Sequence, residues 1–238
     1  MNFSYWRKKL VVWLGSLPKR CLLCQHWLSA HEHGICDYCF SEQLTSTQRC
    51  LGCFQPLALQ PPLLCSVCRR NKQLLVVHGV LFHSQVGFGV AAFKRYGQFA
   101  WLMPLCRILA LRLRSLWQSG LLPMVDAIAP VPASHFALKK RGFNQSKVIA
   151  LTLGHMLGLP VVDLFQAKFK RSQQGLTRSQ RLTNLKGVFS QQKTAPQRLA
   201  IVDDVVTTGA TAQSLVQLVE KDCEEIQVWV LARTQTQS

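Results

Sequence analysis

Two groups of residues in this 238-residue chain have the types and spacing to do chemistry. The first is eight cysteines in four C-x2-C pairs, "CLLC", "CDYC", "CLGC" and "CSVC". Cys21, Cys24, Cys36 and Cys39 form one C-x2-C-x11-C-x2-C module, and Cys50, Cys53, Cys65 and Cys68 repeat it 29 residues later without a gap. Each pair can set two thiolates on one side of a tight knuckle, and two knuckles complete a tetrahedral four-cysteine zinc site. A disulfide scaffold is disfavoured, because no secretion signal accompanies the cysteines and C-x2-C disulfides are strained. Two structural zinc ions are therefore expected. The intact repeat favours pairing within each module; a cross-brace would join the first pair to the third and the second to the fourth. Eight cysteines fill two sites, so His26, His31 and His33 are read as non-ligands, and Cys106 and Cys223 as buried small residues.

The second group is "LAIVDDVVTTGATAQSL". Asp203 and Asp204 end an apolar run in a chain with only 11 acids against 28 Lys and Arg. Carboxylates cannot bind phosphate directly. They can accept hydrogen bonds from sugar hydroxyls, or hold a metal ion through water. Thr207, Thr208, Gly209, Ala210 and Thr211 follow, small residues whose backbone N–H groups can wrap a phosphate while the hydroxyls add donors. A diol contact followed by a phosphate contact describes a ribose 5-phosphate.

These residues need elements to position them. "LLVVHGVLF", "VDAIAPVP", "RLAIVDD" and "IQVWVLA" read as strands. "FAWLMPLCRILALRLRSLW", "NQSKVIALTLGHMLGL" and "TAQSLVQLVEK" read as helices. The alternation implies a mostly parallel sheet flanked by helices, with ligands bound beyond the carboxyl ends of its strands. Between the second strand and its helix, "ASHFALKKRGFNQS" reads as a loop. Its cations Lys139, Lys140 and Arg141, beside a helix N-terminus, form an anion site. The expected organisation is an amphipathic helix over 1–19, a double zinc-ribbon region over 20–70 and an α/β domain over 71–238. Packing on the rest of the protein is the plainer role for the helix (Phe3, Trp6, Leu10, Trp13, Leu14, Leu17), and peripheral membrane contact the alternative. No A-x-A-like site follows it, which argues against a signal peptide and for a cytoplasmic protein.

Charge points to polyanionic partners. The formal net charge is +17, and residues 71–201 carry 18 Lys and Arg against two acids, Asp126 and Asp163. Two zinc ions with eight thiolates would bring residues 1–70 from +5 to about +1, so the excess belongs mostly to the α/β domain.

"VDDVVTTGAT" resembles the phosphoribosyl-pyrophosphate (PRPP) loop of type I phosphoribosyltransferases. Carried over by position, Asp203 and Asp204 would address the ribose 2′ and 3′ hydroxyls, and Thr207 through Thr211 the 5′-phosphate. The four C-x2-C pairs followed by "FKRYGQ", "PVP", "KKRGFNQ", "QQGLTRSQRLTNLKGVF" and this loop resemble the ComF (ComFC/GntX-like) family. That resemblance implies a type I phosphoribosyltransferase-like domain behind a zinc-ribbon region. It also implies a role in handling single-stranded DNA, in natural transformation or in the use of external DNA, with a DNA-uptake helicase as a candidate partner. Gln180 stands where the family pattern leads one to expect an acid.

On the PRPP-binding reading, with Mg2+ accompanying the ligand, Lys139, Lys140 and Arg141 serve the pyrophosphate side. Arg178, Arg181 and Lys186 lie in the segment where type I enzymes place a mobile hood. On the single-strand-binding reading the same cations, with Lys94, Arg95, Lys168, Lys170 and Arg171, grip a nucleic-acid backbone. Phe93, Tyr96, Phe143 and Phe169 are interleaved with them, as core residues or as stacking surfaces. The alternative is an active PRPP-dependent transferase on a nucleobase-like acceptor, for which no general acid or base is legible.

Overall fold

In a computed structural model, the structure describes residues 20–29, 31–44, 50–52, 57, 64–70, 74–81, 84, 86–167 and 187–234. The expected N-terminal helix, Cys53, Lys168, Phe169, Lys170, Arg171, Arg178, Gln180, Arg181 and Lys186 lie outside them.

Four strands, β1 (Val76–Leu81), β2 (Ala127–Pro130), β5 (Arg198–Val206) and β6 (Glu225–Arg233), form one sheet in the order β1-β6-β5-β2. Every pairing in it is parallel. The sheet therefore has one carboxyl edge, and β5 reaches it as a central strand, nine residues long and apolar from Leu199 to its acids. A two-stranded antiparallel ribbon, β3 (Phe165–Ala167) with β4 (Phe189–Gln191), stands apart from it.

Helices cover both faces, as a parallel sheet requires. Against one lie α3 (Gly87–Tyr96), α4 (Leu102–Gln118) and α6 (Gln145–Leu157), packing Phe93, Leu105, Ile108, Leu109, Ile149 and Leu153 on Ala200, Val202 and Trp229. Against the other lies α7 (Ala210–Val219), with Leu215 and Val219 on Leu199, Ile201, Val228 and Val230. A one-turn 3-10 helix, Phe99–Trp101, enters α4. The first cysteine module shares the first of these cores. Cys21, Ile35, Cys36, Cys39 and Phe40 pack with the α4 residues, and Arg107 of α4 lies 4.5 Å over the Phe40 ring. Phe40 and Cys39 belong to α1 (Asp37–Leu44), and Cys68 to the short α2 (Ser66–Arg70).

The segment read as a loop before α6 is in part a helix, α5 (His135–Arg141). Ser134 caps it, its hydroxyl accepting the amide of Ala137 at 3.2 Å, and Gly142 ends it in a left-handed conformation. Lys139, Lys140 and Arg141 thus occupy the last turn of a helix, where cations complement the negative end of its dipole. The local signals for both caps are present in the sequence, and the cations obscured them.

Asn144 then starts α6. Its Oδ1 accepts the amide of Lys147 at 3.4 Å, and its Nδ2 donates to Val131 O at 3.0 Å, just past β2. One side chain caps the helix and ties it to the strand edge. Asn144→Ala should lower unfolding stability by about 2 kcal/mol, the sum of a lost cap and a lost hydrogen bond. Asn144→Asp, which keeps the acceptor and loses the donor, should recover roughly half of that. Chemical denaturation of the three proteins measures both.

Candidate functional site

Asp203 and Asp204 stand at the carboxyl end of β5, and neither is simply displayed to solvent. Asp204 is 5% exposed. Its Oδ1 accepts Lys94 Nζ at 2.8 Å and the amide of Val205 at 2.7 Å. Asp203 is half-buried, and its Oδ1 accepts Ser146 Oγ and the Asp204 amide, each at 2.9 Å. Burial, and then the neighbouring Asp204 charge, push the Asp203 carboxyl up from 3.8 to about 6, against the lowering effect of these donors and Lys94.

Lys94 comes from α3 and Ser146 from α6, and these helices are themselves bonded. Gln145 Nε2 donates to Lys94 O at 2.7 Å, while Arg141 Nη1 donates to Gln145 Oε1 at 2.7 Å. "RGFNQS" is thus a bracket that holds α3, α6 and β2 around the acids. Within it Arg141 braces Gln145. Lys139 is exposed on α5, and the side chain of Lys140 lies outside the described residues. Lys94, expected among backbone-gripping cations, is the counter-ion of Asp204. Phe93 and Phe143 join Phe99 in a ring cluster with centroids 4.8 to 6.3 Å apart, so they serve the core. Tyr96, next to Arg95 in the chain, is exposed, and so is Phe136 on α5.

Beyond the acids the chain turns into α7. Gly209 sits at φ 77°, a left-handed conformation that residues with a side chain rarely adopt, and this lets the loop reverse within Thr207–Gly209. Thr207 and Thr208 are exposed, and Thr208 Oγ1 accepts the Ala210 amide at 3.5 Å. With Gly52, Leu74, Val76, Val206, Gln213 and Arg233 these residues line a cleft of ≈ 180 Å³ at the amino end of α7. Thr211 lies in the first turn of that helix. The donor set and the helix end suit an anion. Sequence reasoning missed Ser146, Gln145 and Arg233, and it gave Lys94 another role. A polar residue on a distant element carries no local signal of its partner.

The cysteines gather module by module. The sulfurs of Cys21, Cys24, Cys36 and Cys39 lie within 4.8 Å of one another, as do those of Cys50, Cys65 and Cys68. Pairing is therefore within each repeat, and a cross-brace is excluded for the described residues. Among these residues the two groups contain only cysteine, and His31 instead contacts Asp37 at 3.2 Å. Amides converge on the sulfurs: Leu23 and Cys36 on Cys21, Gly52 and Cys65 on Cys50. Burial opposes it, yet the amides of Cys36, Cys24 and Leu23 bring the Cys21 thiol down to about 7. Clustered sulfurs with one thiol already acidified fit a thiolate-bound metal ion, and an all-cysteine set closed by protein fits a structural zinc. Cys106 is fully buried and Cys223 half-buried.

Parallel strands covered by helices, paired acids and a small-residue loop at the carboxyl edge of the sheet define an α/β protein, preceded by a region of two cysteine clusters that could hold metal ions. The chain belongs to the ComF family: it is 31% identical over 226 residues to Competence protein F of Haemophilus influenzae, covering 90% of this chain and 96% of that one. It is 30% identical to DNA utilization protein YhgH of Salmonella typhi, over 92% of this chain and 99% of the relative. Competence protein ComFC of Streptococcus pneumoniae matches over 105 residues at 29%, 43% of this chain and 46% of that one. No family model matches the chain. Similar solved structures include a purine phosphoribosyltransferase from Pyrococcus horikoshii (TM-score 0.35, 21% identity, 55% of this chain and 81% of that one). Another is adenine phosphoribosyltransferase from Leishmania tarentolae (TM-score 0.37, 13% identity, 59% of this chain and 73% of that one). Among the described residues, no helix is long and apolar enough to cross a membrane.

The folded state raises the Asp203 pKa, so ionising this acid costs stability. That cost is absent below about pH 3, where the acid is protonated whether folded or not; it grows as pH rises from the ordinary value of 3.8 to about 6 and is complete above that. Asn keeps the acceptor oxygen without the charge. Asp203→Asn should therefore gain on the order of 2 kcal/mol over the parent at pH 8, shrinking to nothing below about pH 3. Denaturation at a series of pH values measures it. Metal analysis of the full chain should return about two zinc ions, and Cys24→Ser about one.

Proposed function

We propose that the protein binds a phosphoribosyl ligand, PRPP with Mg2+ or a ribose 5-phosphate end, and handles single-stranded DNA on the basic surface around that site. The observation that carries the ligand reading is the adjacency of the two acids, held by Lys94 and Ser146, to the Thr207–Thr211 turn at the amino end of α7. The bonds described to each acid fall on Oδ1, and a ribose diol would address Oδ2. The 5′-phosphate would take the threonine hydroxyls and backbone amides of the turn. Mg2+ bound with the ligand supplies charge neutralisation at the pyrophosphate.

The names of the relatives support the DNA side: competence in one, DNA utilization in the other. So do the charge excess of the α/β domain and the exposed rings of Tyr96 and Phe136, near Arg95 and Lys139. Such rings stack bases of any sequence, while cations track the backbone.

Two measurements test the proposal. Calorimetry should show Mg2+-dependent PRPP binding that Asp203→Asn and Asp204→Asn each reduce by roughly a hundredfold, the loss of two charge-assisted hydrogen bonds. Unchanged affinity would refute the site. Single-stranded DNA affinity should fall steeply and linearly on a log–log plot against salt, and absent or salt-insensitive binding sinks the DNA reading. Release of pyrophosphate with a nucleobase-like acceptor would move the assignment to an active transferase.

A further inference from the structure

Arg233, the last residue of β6, is buried and lines the same cleft as Thr207, Thr208, Gly209 and Ala210. Its Nη1 donates to Leu51 O at 3.0 Å, and its Nη2 donates to Gly52 O. Those carbonyls belong to the first knuckle of the second cysteine module, some 180 residues earlier in the chain. Leu51 O also accepts the amide of Val76, the first residue of β1, at 3.0 Å.

Sulfur sets the shape of that knuckle. Cys50 Sγ accepts the amides of Gly52 at 3.3 Å and Cys65 at 3.2 Å. A Cβ on Gly52 would stand 2.9 Å from both the Cβ and the Sγ of Cys68, so only glycine fits against the cluster there. The direction of the two carbonyls is thereby tied to the arrangement of the thiols. On the other side, Arg233 pairs in register with Val206, the residue before Thr207, and Val206 O accepts the Thr234 amide at 3.1 Å. The cysteine knuckle, a buried guanidinium and the start of the loop are consecutive links.

Taking that cleft as a phosphoribosyl site, as proposed above, we infer that the second cysteine module is one wall of it and that Arg233 is the positioning residue between the two. Carbonyls fixed by the metal-bound knuckle orient the guanidinium and hold its positive charge beside the loop. A phosphate entering the cleft gains from that charge, and the linkage is reciprocal: ligand and metal each favour the arrangement the other needs. The first module is built differently, its cysteines packing on α4. Its loss would act on the core and leave this link in place.

The test uses the full chain with cadmium in place of zinc, so that each module gives its own cadmium NMR signal. Cys24→Ser removes the signal of the first module and so assigns both. Ribose 5-phosphate, its binding measured separately by calorimetry, should move the second-module signal and leave the first in place. Arg233→Lys keeps the charge but loses the planar fork whose two nitrogens each take one carbonyl. It should abolish that movement and weaken binding roughly tenfold, as expected for a lost charge-assisted hydrogen bond. Ribose 5-phosphate binding with a stationary second signal, or equal affinity in Arg233→Lys, overturns the inference.

If the parent protein does not bind ribose 5-phosphate, the phosphoribosyl reading fails, and amide exchange decides the link by itself. Exchange at Thr208, Gly209 and Ala210 should then rise in both Cys68→Ser and Arg233→Lys. Unchanged exchange in Arg233→Lys overturns the link. Because that variant keeps every cysteine, misfolding of Cys68→Ser does not hide the answer.

Discussion

A carboxylate buried at the end of a central strand must have a counter-charge, and Lys94 provides it for Asp204. Much of the site follows from that one ion pair. Lys94 can reach β5 only because α3 ends beside it, and α3 is fixed by the hydrogen bond from Gln145 to the Lys94 carbonyl. Gln145 is in turn braced by Arg141, while its neighbours Asn144 and Ser146 tie α6 to β2 and to Asp203. A six-residue stretch distant in sequence, residues 141–146, keeps two acids in place. Burial and the Asp204 charge raise the Asp203 pKa against these donors, so the pair is held at a cost that the surrounding helices offset.

The cysteine modules are not appendages to this scaffold. The first contributes Cys21, Ile35 and Phe40 to the same core as α4, and the second meets the sheet through Leu51, Gly52 and Arg233. Arg233, which lines the cleft beside Thr207–Ala210, is held by backbone shaped around sulfur. Metal in such a module would stabilise more than a local fold, because the surfaces it organises are internal walls of the larger one.

Much of this was legible along the chain. The four C-x2-C pairs and their gapless repeat announced two clusters, and the sulfurs group as the repeat implies. Long apolar runs gave β5 and β6, and helical periodicity gave α4, α6 and α7, because burial on one face leaves its period in the sequence. The helix α5 was hidden by its cations, although Ser134 and Gly142 mark its ends. What could not be read were the partners. Lys94 and Asp204 are 110 residues apart, and no spacing rule joins a lysine in one helix to an acid in a strand that pairs elsewhere. Arg233 lies just past the last strand read from the sequence, "IQVWVLA"; only the parallel order of the sheet brings it to Gly52.

That strand order also has a consequence for synthesis. β1, the first strand of this sheet in chain order, sits at an edge whose neighbour is β6, the last of the four. The second cysteine module likewise waits for Arg233 to complete its surroundings. Nearly the whole chain must emerge before either is closed, and non-local pairing of this kind is slow. Throughout that interval the nascent chain carries Cys21, Cys36, Cys39, Cys50 and Cys68, buried in the finished fold, ahead of the elements that cover them, so early capture of metal would also shield them from oxidation.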